Sequence, residues 1–272
     1  MGTKHDVLTE DELATFKISP EIHQEIARFI DRTGTEPSRE AINILDWGCG
    51  RGRSVAKLRE EGFNAYGVDI DERTMRNGYS VLARRGLDPT SVLLNLDDTS
   101  RFPDGFFHCI CSDQVLEHVR HLPAIFSEMW RLTAPGGVGI HHFPGSRNFR
   151  EGHLCMPLIH WLPKNRLRRT AIAICLTAGA GPTHQWPETK GSGFWPTVDT
   201  YYRYLDEKTY YRDIDDICAV ATQAGFDAGY KLLGGAFPAT RNWLPAALRR
   251  NGFPGSSIFL VLIRAKIDGT PA

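Results

Sequence analysis

The chain predicts an α/β fold, a mostly parallel sheet with helices on both faces, on three observations. Short apolar runs alternate with helical runs from Ile42 to Phe143, as they do where parallel strands are joined by crossover helices. The strand end Ile44-Leu45-Asp46-Trp47 breaks into Gly48-Cys49-Gly50-Arg51-Gly52 before a helical stretch at Ser54-Val55-Ala56-Lys57-Leu58, the order of nucleotide-binding units. Gly62 and Gly86 follow helical runs, where glycine closes a helix.

Taken in order, Thr9 and Glu12 have the spacing of a capping box. Ser19-Pro20-Glu21 opens a second helix with Ile22, Ile26, Phe29 and Ile30 on one face. Glu36-Pro37-Ser38-Arg39 reads as the turn into the core. At the glycine turn, Gly48, Gly50 and Gly52 allow positive φ and let a ligand approach the main chain, with the free N–H groups of the next helix facing the same crevice. The second strand, Ala65 to Ile70, carries Asp69 about 20 residues past the turn, where such folds hydrogen-bond ribose hydroxyls. Asp71 is the better cap for the helix beginning at Glu72, which leaves Asp69 for a ligand.

Val92-Leu93-Leu94-Asn95 reads as the third strand and Cys109-Ile110-Cys111-Ser112 as the fourth. Leu122-Pro123 starts a helix with Ile125, Met129 and Leu132 facing inward, and Val138 to Phe143 is the fifth strand. After a long interruption, Asp213 to Ala224 forms a helix ended by Gly225. Two final strands, Ala228 to Leu233 and Ile258 to Ala265, are expected as antiparallel neighbours at one sheet edge.

The turn reads G-x-G-x-G, with Arg53 where a dinucleotide fingerprint needs its third glycine. Preceded by Asp46, it resembles motif I of class I S-adenosylmethionine-dependent methyltransferases. Further motifs are similar in order and spacing: Phe102-Pro103-Asp104 before the fourth strand, Val115-Leu116-Glu117-His118-Val119 after it, and Leu132-Thr133-Ala134-Pro135-Gly136-Gly137 before the fifth. The resemblance covers roughly residues 40–144 and implies a Rossmann-like seven-stranded sheet with an insertion after the fifth strand. It also implies S-adenosyl-L-methionine as cofactor, held by Asp46, Gly48, Gly50, Gly52, Asp69, Ile70, Asp97, Asp98 and Asp113. The adenine contact departs from the family pattern: Leu96 stands where an acid is usual, and Asp97 follows one place later. Asp98 is alternatively a turn-solvating residue.

A chain of 272 residues with 42% hydrophobic content can bury a sizeable core. The expected division is a helical segment at 1–40, a cofactor-binding core at 41–144, a substrate-lid insertion at 145–205, and a last helix and two strands at 206–272. Lys+Arg 32 against Asp+Glu 32 leaves no basic excess for a nucleic-acid surface, so a small-molecule acceptor is expected. The six cysteines form no C-x-x-C pair and no histidine cluster at ligand spacing. No metal is expected, and Cys109, Cys111 and Cys218 read as buried hydrophobes of a reducing compartment. With no apolar leader at Met1 to Asp6, cytoplasmic location is the default expectation.

The stretch from Pro144 to Leu205 reads as irregular and too long for an ordinary loop. It is rich in aromatics and emerges from a carboxyl strand end, so it is expected to cover substrate, with Trp161, Arg166 and Trp195 as contacts. Within it, a basic run with Arg166, Arg168 and Arg169 precedes the apolar Ile172-Ala173-Ile174. Three readings stay open: a helix packed on the domain, an anionic-substrate site, or contact with a membrane surface. The apolar run is far short of the roughly 20 residues of a membrane span.

Methyl transfer from a sulfonium is an in-line displacement that needs a positioned nucleophile and, for a hydroxyl acceptor, a base. His118 and His142 are the chosen bases, near the exits of the fourth and fifth strands. Strand alternation sends His141 and His142 to opposite faces, and Glu117 reads as a first-turn helix acid. The expected activity is methylation, at oxygen, of a small molecule or sugar-containing metabolite. A catalytically silent cofactor-binding protein and a nicotinamide-dependent oxidoreductase are the competing classes, the latter disfavoured by Arg53. Oligomeric state is left open.

Overall fold

The structure is a computed structural model that describes residues 18–32, 38–233 and 257–265. The Thr9–Glu12 capping box, Glu36 and Pro37 lie outside these residues. Seven strands form one sheet in the order β3-β2-β1-β4-β5-β7-β6. They are β1 (Asn43–Trp47), β2 (Asn64–Asp69), β3 (Leu93–Asn95), β4 (Phe107–Asp113), β5 (Thr133–Pro144), β6 (Phe226–Leu233) and β7 (Ser257–Arg264). Only β7 runs against its neighbours, pairing antiparallel with both β5 and β6, so the expected antiparallel pair is present with β6 as the outer strand. This is the mostly parallel α/β sheet that the alternating pattern predicts.

Helices cover both faces. On one face α1 (Pro20–Arg32), α2 (Arg53–Glu60) and α3 (Glu72–Arg84) bury Ile22, Ile26, Leu58, Met75 and Leu82 against Ile44 and Cys109. A four-residue helix α4 (Pro89–Val92) leads into β3. On the other face α5 (Leu122–Leu132) and α8 (Ile214–Gln223) bury Phe126, Met129 and Ile217 against Leu45, Ile110 and Leu260. The inward stripe of α5 is Leu122, Phe126, Met129 and Leu132, with Ile125 half-buried. Each such side chain contributes roughly 1.5–3 kcal/mol on burial, and the parallel strands read as continuous apolar runs because both faces are covered.

The segment after β5 is not irregular. It contains α6 (Arg166–Thr177) and α7 (Phe194–Glu207), which bury Ile172, Ala173, Val198, Tyr201 and Leu205 in a third cluster with Leu154 and Met156. Val198, Tyr201 and Leu205 have helical spacing, which the density of aromatics and prolines around them obscures. The basic run forms the packed helix that is the first of its three readings. Arg168 is buried and donates to the carbonyl oxygens of Leu162, His160 and Leu205. Arg169 pairs with Asp199 at 2.5 Å, and Arg166 is exposed on the first turn of α6. Among the described residues no helix is long and apolar enough to cross a membrane.

Buried Glu151 ties this segment to the body of the domain. Its carboxylate accepts from the His153 N–H at 2.9 Å, from His153 Nδ1 at 2.7 Å and from the Tyr211 hydroxyl just before α8. All six cysteines are free thiols, with Cys109 and Cys111 buried and Cys218 partly so.

Candidate active site

The strand order reverses between β1 and β4, the switch point at which open α/β sheets leave a crevice. The glycine turn fills its floor. Gly48, Gly50 and Gly52 have φ of 79°, 51° and 70°, and Gly52 is the cap of α2. A methyl group on Gly48 would lie 2.4 Å from a Val115 methyl, and one on Gly52 would lie 2.8 Å from Leu93 Cδ1. Those two positions are glycine for packing as well as for φ. Gly50 differs, since a Cβ there meets nothing closer than Thr74 Cγ2 at 3.9 Å. Its bare backbone borders open space.

Gly50 N donates to Asp69 Oδ2 at 2.8 Å, and Asp71 N donates to Asp69 Oδ1 at 2.8 Å. Two backbone donors thus fix the carboxylate at the end of β2, and each oxygen keeps a second lone pair for a hydroxyl. Asp71 caps α3 as expected, accepting from Thr74 N at 3.2 Å and Thr74 Oγ1 at 2.7 Å. Beside the turn Asp46 is buried, with a pKa pushed up to about 7 first by loss of solvent and then by the nearby charges of Asp113 and Asp69, against a hydrogen bond from Ser54. Asp69 lines the crevice itself, with Asp46 and Asp113 close behind it, and Asp46 carries only part of a charge near neutral pH.

A cavity of about 510 Å³ opens here, lined by Gly48, Asp69, Ile70, Leu96, Val115 and His118 among others. Ile70 is 77% exposed, an apolar surface suited to a flat ring. Asp97 and Asp98 follow on an exposed turn and do not line the cavity. Leu96 does. Gln114, also in the lining, has φ of 57°, the left-handed conformation that non-glycine residues adopt at a cost of about 1–2 kcal/mol. Its N–H is held by the His142 carbonyl at 2.8 Å.

His141 and His142 face opposite sides of β5, as alternation requires. His141 is fully buried, 2.8 Å from Ser112 Oγ, and burial pushes its pKa down to about 3. His142 Nδ1 donates to Asp113 Oδ1 at 2.7 Å. Burial alone would lower the His142 pKa, but the Asp113 carboxylate outweighs it and raises the value above that of free histidine, with Glu21 on α1 and Glu117 adding to the effect. The Nδ1–H bond leaves Nε2 to accept a proton.

Glu117 lies in a short turn, Leu116–His118, before α5 rather than in its first turn. It is 3% exposed, neither carboxylate oxygen finds a donor on another residue, and burial pushes its pKa up to about 7. His118 Nδ1 donates to the Lys208 carbonyl at 2.6 Å, and its ring centroid lies 4.9 Å from that of His153 in the insertion. His153 lines a second cavity of about 530 Å³ with Trp186, Thr200, Arg203 and Tyr204. Trp161, Arg166 and Trp195 line neither cavity; Trp161 donates to the Ser146 carbonyl and Trp195 lies under the Arg169 guanidinium. Sequence reasoning missed the burial of Glu117 and the approach of His153, because a turn residue and a residue 36 positions away carry no common period.

The sequence profile of a methyltransferase-domain family matches residues 20–227. Among curated proteins the chain is similar to a nocamycin O-methyltransferase from Saccharothrix syringae, 32% identical over 102 residues that make up 36% of each chain. It is also similar to a ubiquinone/menaquinone biosynthesis C-methyltransferase from Burkholderia cenocepacia, 28% identical over 140 residues, 50% of this chain and 56% of that one. The chain therefore spans between about a third and just over half of the length of these curated relatives. Its fold resembles that of a SAM-dependent methyltransferase from Methanosarcina mazei, with a TM-score of 0.53 at 16% identity over 92% of this chain and 100% of that chain. A phosphoethanolamine N-methyltransferase from Haemonchus contortus, in complex with phosphomonomethylethanolamine and S-adenosylhomocysteine, gives 0.53 at 14% identity over 95% of this chain and 59% of that one.

Proposed function

The chain belongs to the methyltransferase-domain family, and from that premise we propose that it transfers the methyl group of S-adenosylmethionine to an oxygen of a small molecule or sugar-containing metabolite. The observation that carries this reading is the crevice itself: a glycine turn with open space at Gly50, beside the carboxylate of Asp69, which two backbone donors hold in the cavity wall. A sulfonium with an amino-acid tail is attracted there, whereas the pyrophosphate of a nicotinamide cofactor is repelled. Asp69 takes the ribose hydroxyls, and Ile70 and Leu96 pack on the adenine, with Asp97 and Asp98 reaching it from the exposed turn. His142, oriented by Asp113, accepts the proton of the attacking hydroxyl, which is the reason for preferring oxygen; His118 is the second candidate base. The insertion with α6 and α7 closes the acceptor side.

Calorimetric titration with S-adenosylmethionine tests the cofactor, and no heat of binding to folded protein overturns the reading. In the Asp69→Asn variant the affinity is expected to fall about tenfold or more, since hydrogen bonds to a charged acceptor contribute roughly 1.5–3 kcal/mol. Unchanged affinity would remove Asp69 from the site.

Asp46 makes a second expectation. Its folded pKa of about 7 lies above that of a free aspartate, so the stability it supplies is fully present below about pH 4 and is lost as pH rises toward 7. Urea unfolding of the unliganded protein at pH 5 and pH 8 should show Asp46→Asn gaining roughly 1–3 kcal/mol relative to wild type at the higher pH. A variant that keeps the wild-type pH dependence would place the titration elsewhere.

A further inference from the structure

We propose that Glu117, His118 and His153 bind a single divalent transition-metal ion on the acceptor side of the cofactor cavity. The three side chains offer one carboxylate oxygen and two imidazole nitrogens that all lie within 4.8 Å of one another. Each is set up as a ligand. His118 Nδ1 is bound to the Lys208 carbonyl and His153 Nδ1 to the Glu151 carboxylate; both partners only accept, so both rings carry a hydrogen on Nδ1 and, in the neutral form that binds a metal, turn a lone pair outward on Nε2. Glu117 is 3% exposed with neither oxygen hydrogen-bonded to another residue, a costly arrangement for an acid that meets no cation. His118 Nε2 lies 3.9 Å from its Oε1.

A four-coordinate ion with bonds of about 2.0–2.1 Å needs its donors roughly 3.3–3.5 Å apart, so donors that lie within 4.8 Å of one another have to draw together by at most about 1.5 Å. Two imidazoles and one carboxylate select zinc, iron, cobalt or manganese over magnesium or calcium. Three protein ligands leave at least one position open, as catalytic sites do. His118 lines one cavity and His153 the other, so that position lies between cofactor and insertion. Its use on an oxygen of the acceptor rests on the methyl-transfer reading; the cation site does not.

The test is titration of metal-stripped full-length protein with zinc against a chromophoric chelator, in the absence of S-adenosylmethionine. One equivalent per chain is expected, with affinity reduced at least tenfold in His153→Ala and in Glu117→Gln and unchanged in His184→Ala, an exposed histidine of the same insertion. Cobalt-loaded wild type should show ligand-field absorption without thiolate charge transfer, which settles the ligand type even where a variant fails to fold. Absence of stoichiometric binding, thiolate charge transfer, or full affinity in both ligand variants overturns the site. A protein that binds S-adenosylmethionine and no cation refutes this inference alone, and one that binds the cation and no S-adenosylmethionine refutes the methyl-transfer reading alone.

Discussion

Replacement of His142 by glutamine should lower turnover by about 10²–10⁴-fold at neutral pH, the usual contribution of a positioned base, while the affinity for S-adenosylmethionine stays as in wild type. Its geometry suits the proposed role. Asp113 fixes the Nδ1 hydrogen at 2.7 Å and raises the pKa above that of free histidine against the opposing effect of burial. Because the base must be unprotonated, activity is expected to fall as pH drops through that raised value. In Asp113→Asn the main charge opposing burial is gone, leaving Glu21 and Glu117, so the acidic limb of kcat should move to lower pH. Measured pH–rate profiles of the three proteins decide it. A fully active His142→Gln variant would mean that the acceptor's proton leaves by another route.

The second large effect is expected at Gly78, a helix residue that does not line the cavity. In the middle of α3 a glycine is destabilising by roughly 0.5–1 kcal/mol relative to alanine, yet a Cβ at this position would lie 1.9 Å from the Arg51 carbonyl oxygen. The helix backbone is pressed directly onto the glycine turn. Neither partner is the flexible end of a side chain, so Gly78→Ala has to push the turn away. The cost is about 2–3 kcal/mol by comparison with overpacked cores, lowering Tm by roughly 5–10 °C. Affinity for S-adenosylmethionine should fall at least tenfold, since Gly50 N and its bond to Asp69 move with the turn. Gly86→Ala is the control: it has φ of 74° with no atom within 4 Å of the added methyl, so it pays only the left-handed conformation, about 1 kcal/mol. Equal cofactor affinity in wild type and Gly78→Ala would show that the turn tolerates the displacement.

What could be read from the chain was what depends on neighbours in sequence. The glycine turn, the cap at Asp71 and the opposite facing of His141 and His142 follow from φ requirements, local hydrogen bonding and strand pleat. Gly78 was silent because a helix-interior glycine has no local signature; its reason is a backbone segment more than 25 residues earlier. Of the two insertion helices, α7 was hidden for a different cause. Val198, Tyr201 and Leu205 mark a helical stripe, but Phe194, Trp195 and Pro196 precede it and the surrounding turn formers dilute the period. Glu117 looked like a dipole-complementing acid because its burial comes from tertiary packing, although the start of α5 at Leu122 was itself legible from Leu122-Pro123.

The ring of acids at the switch point also bears on how a reaction cycle ends. Transfer of the methyl group turns a sulfonium into a neutral thioether, so the bound nucleoside loses one positive charge while Asp46, Asp69 and Asp113 stay where they are. The crevice attracts what arrives more than what remains. On the proposed reading, the carboxylate of Asp69 and its acidic neighbours hold the charged donor more strongly than the neutral product, which favours exchange of product for fresh donor.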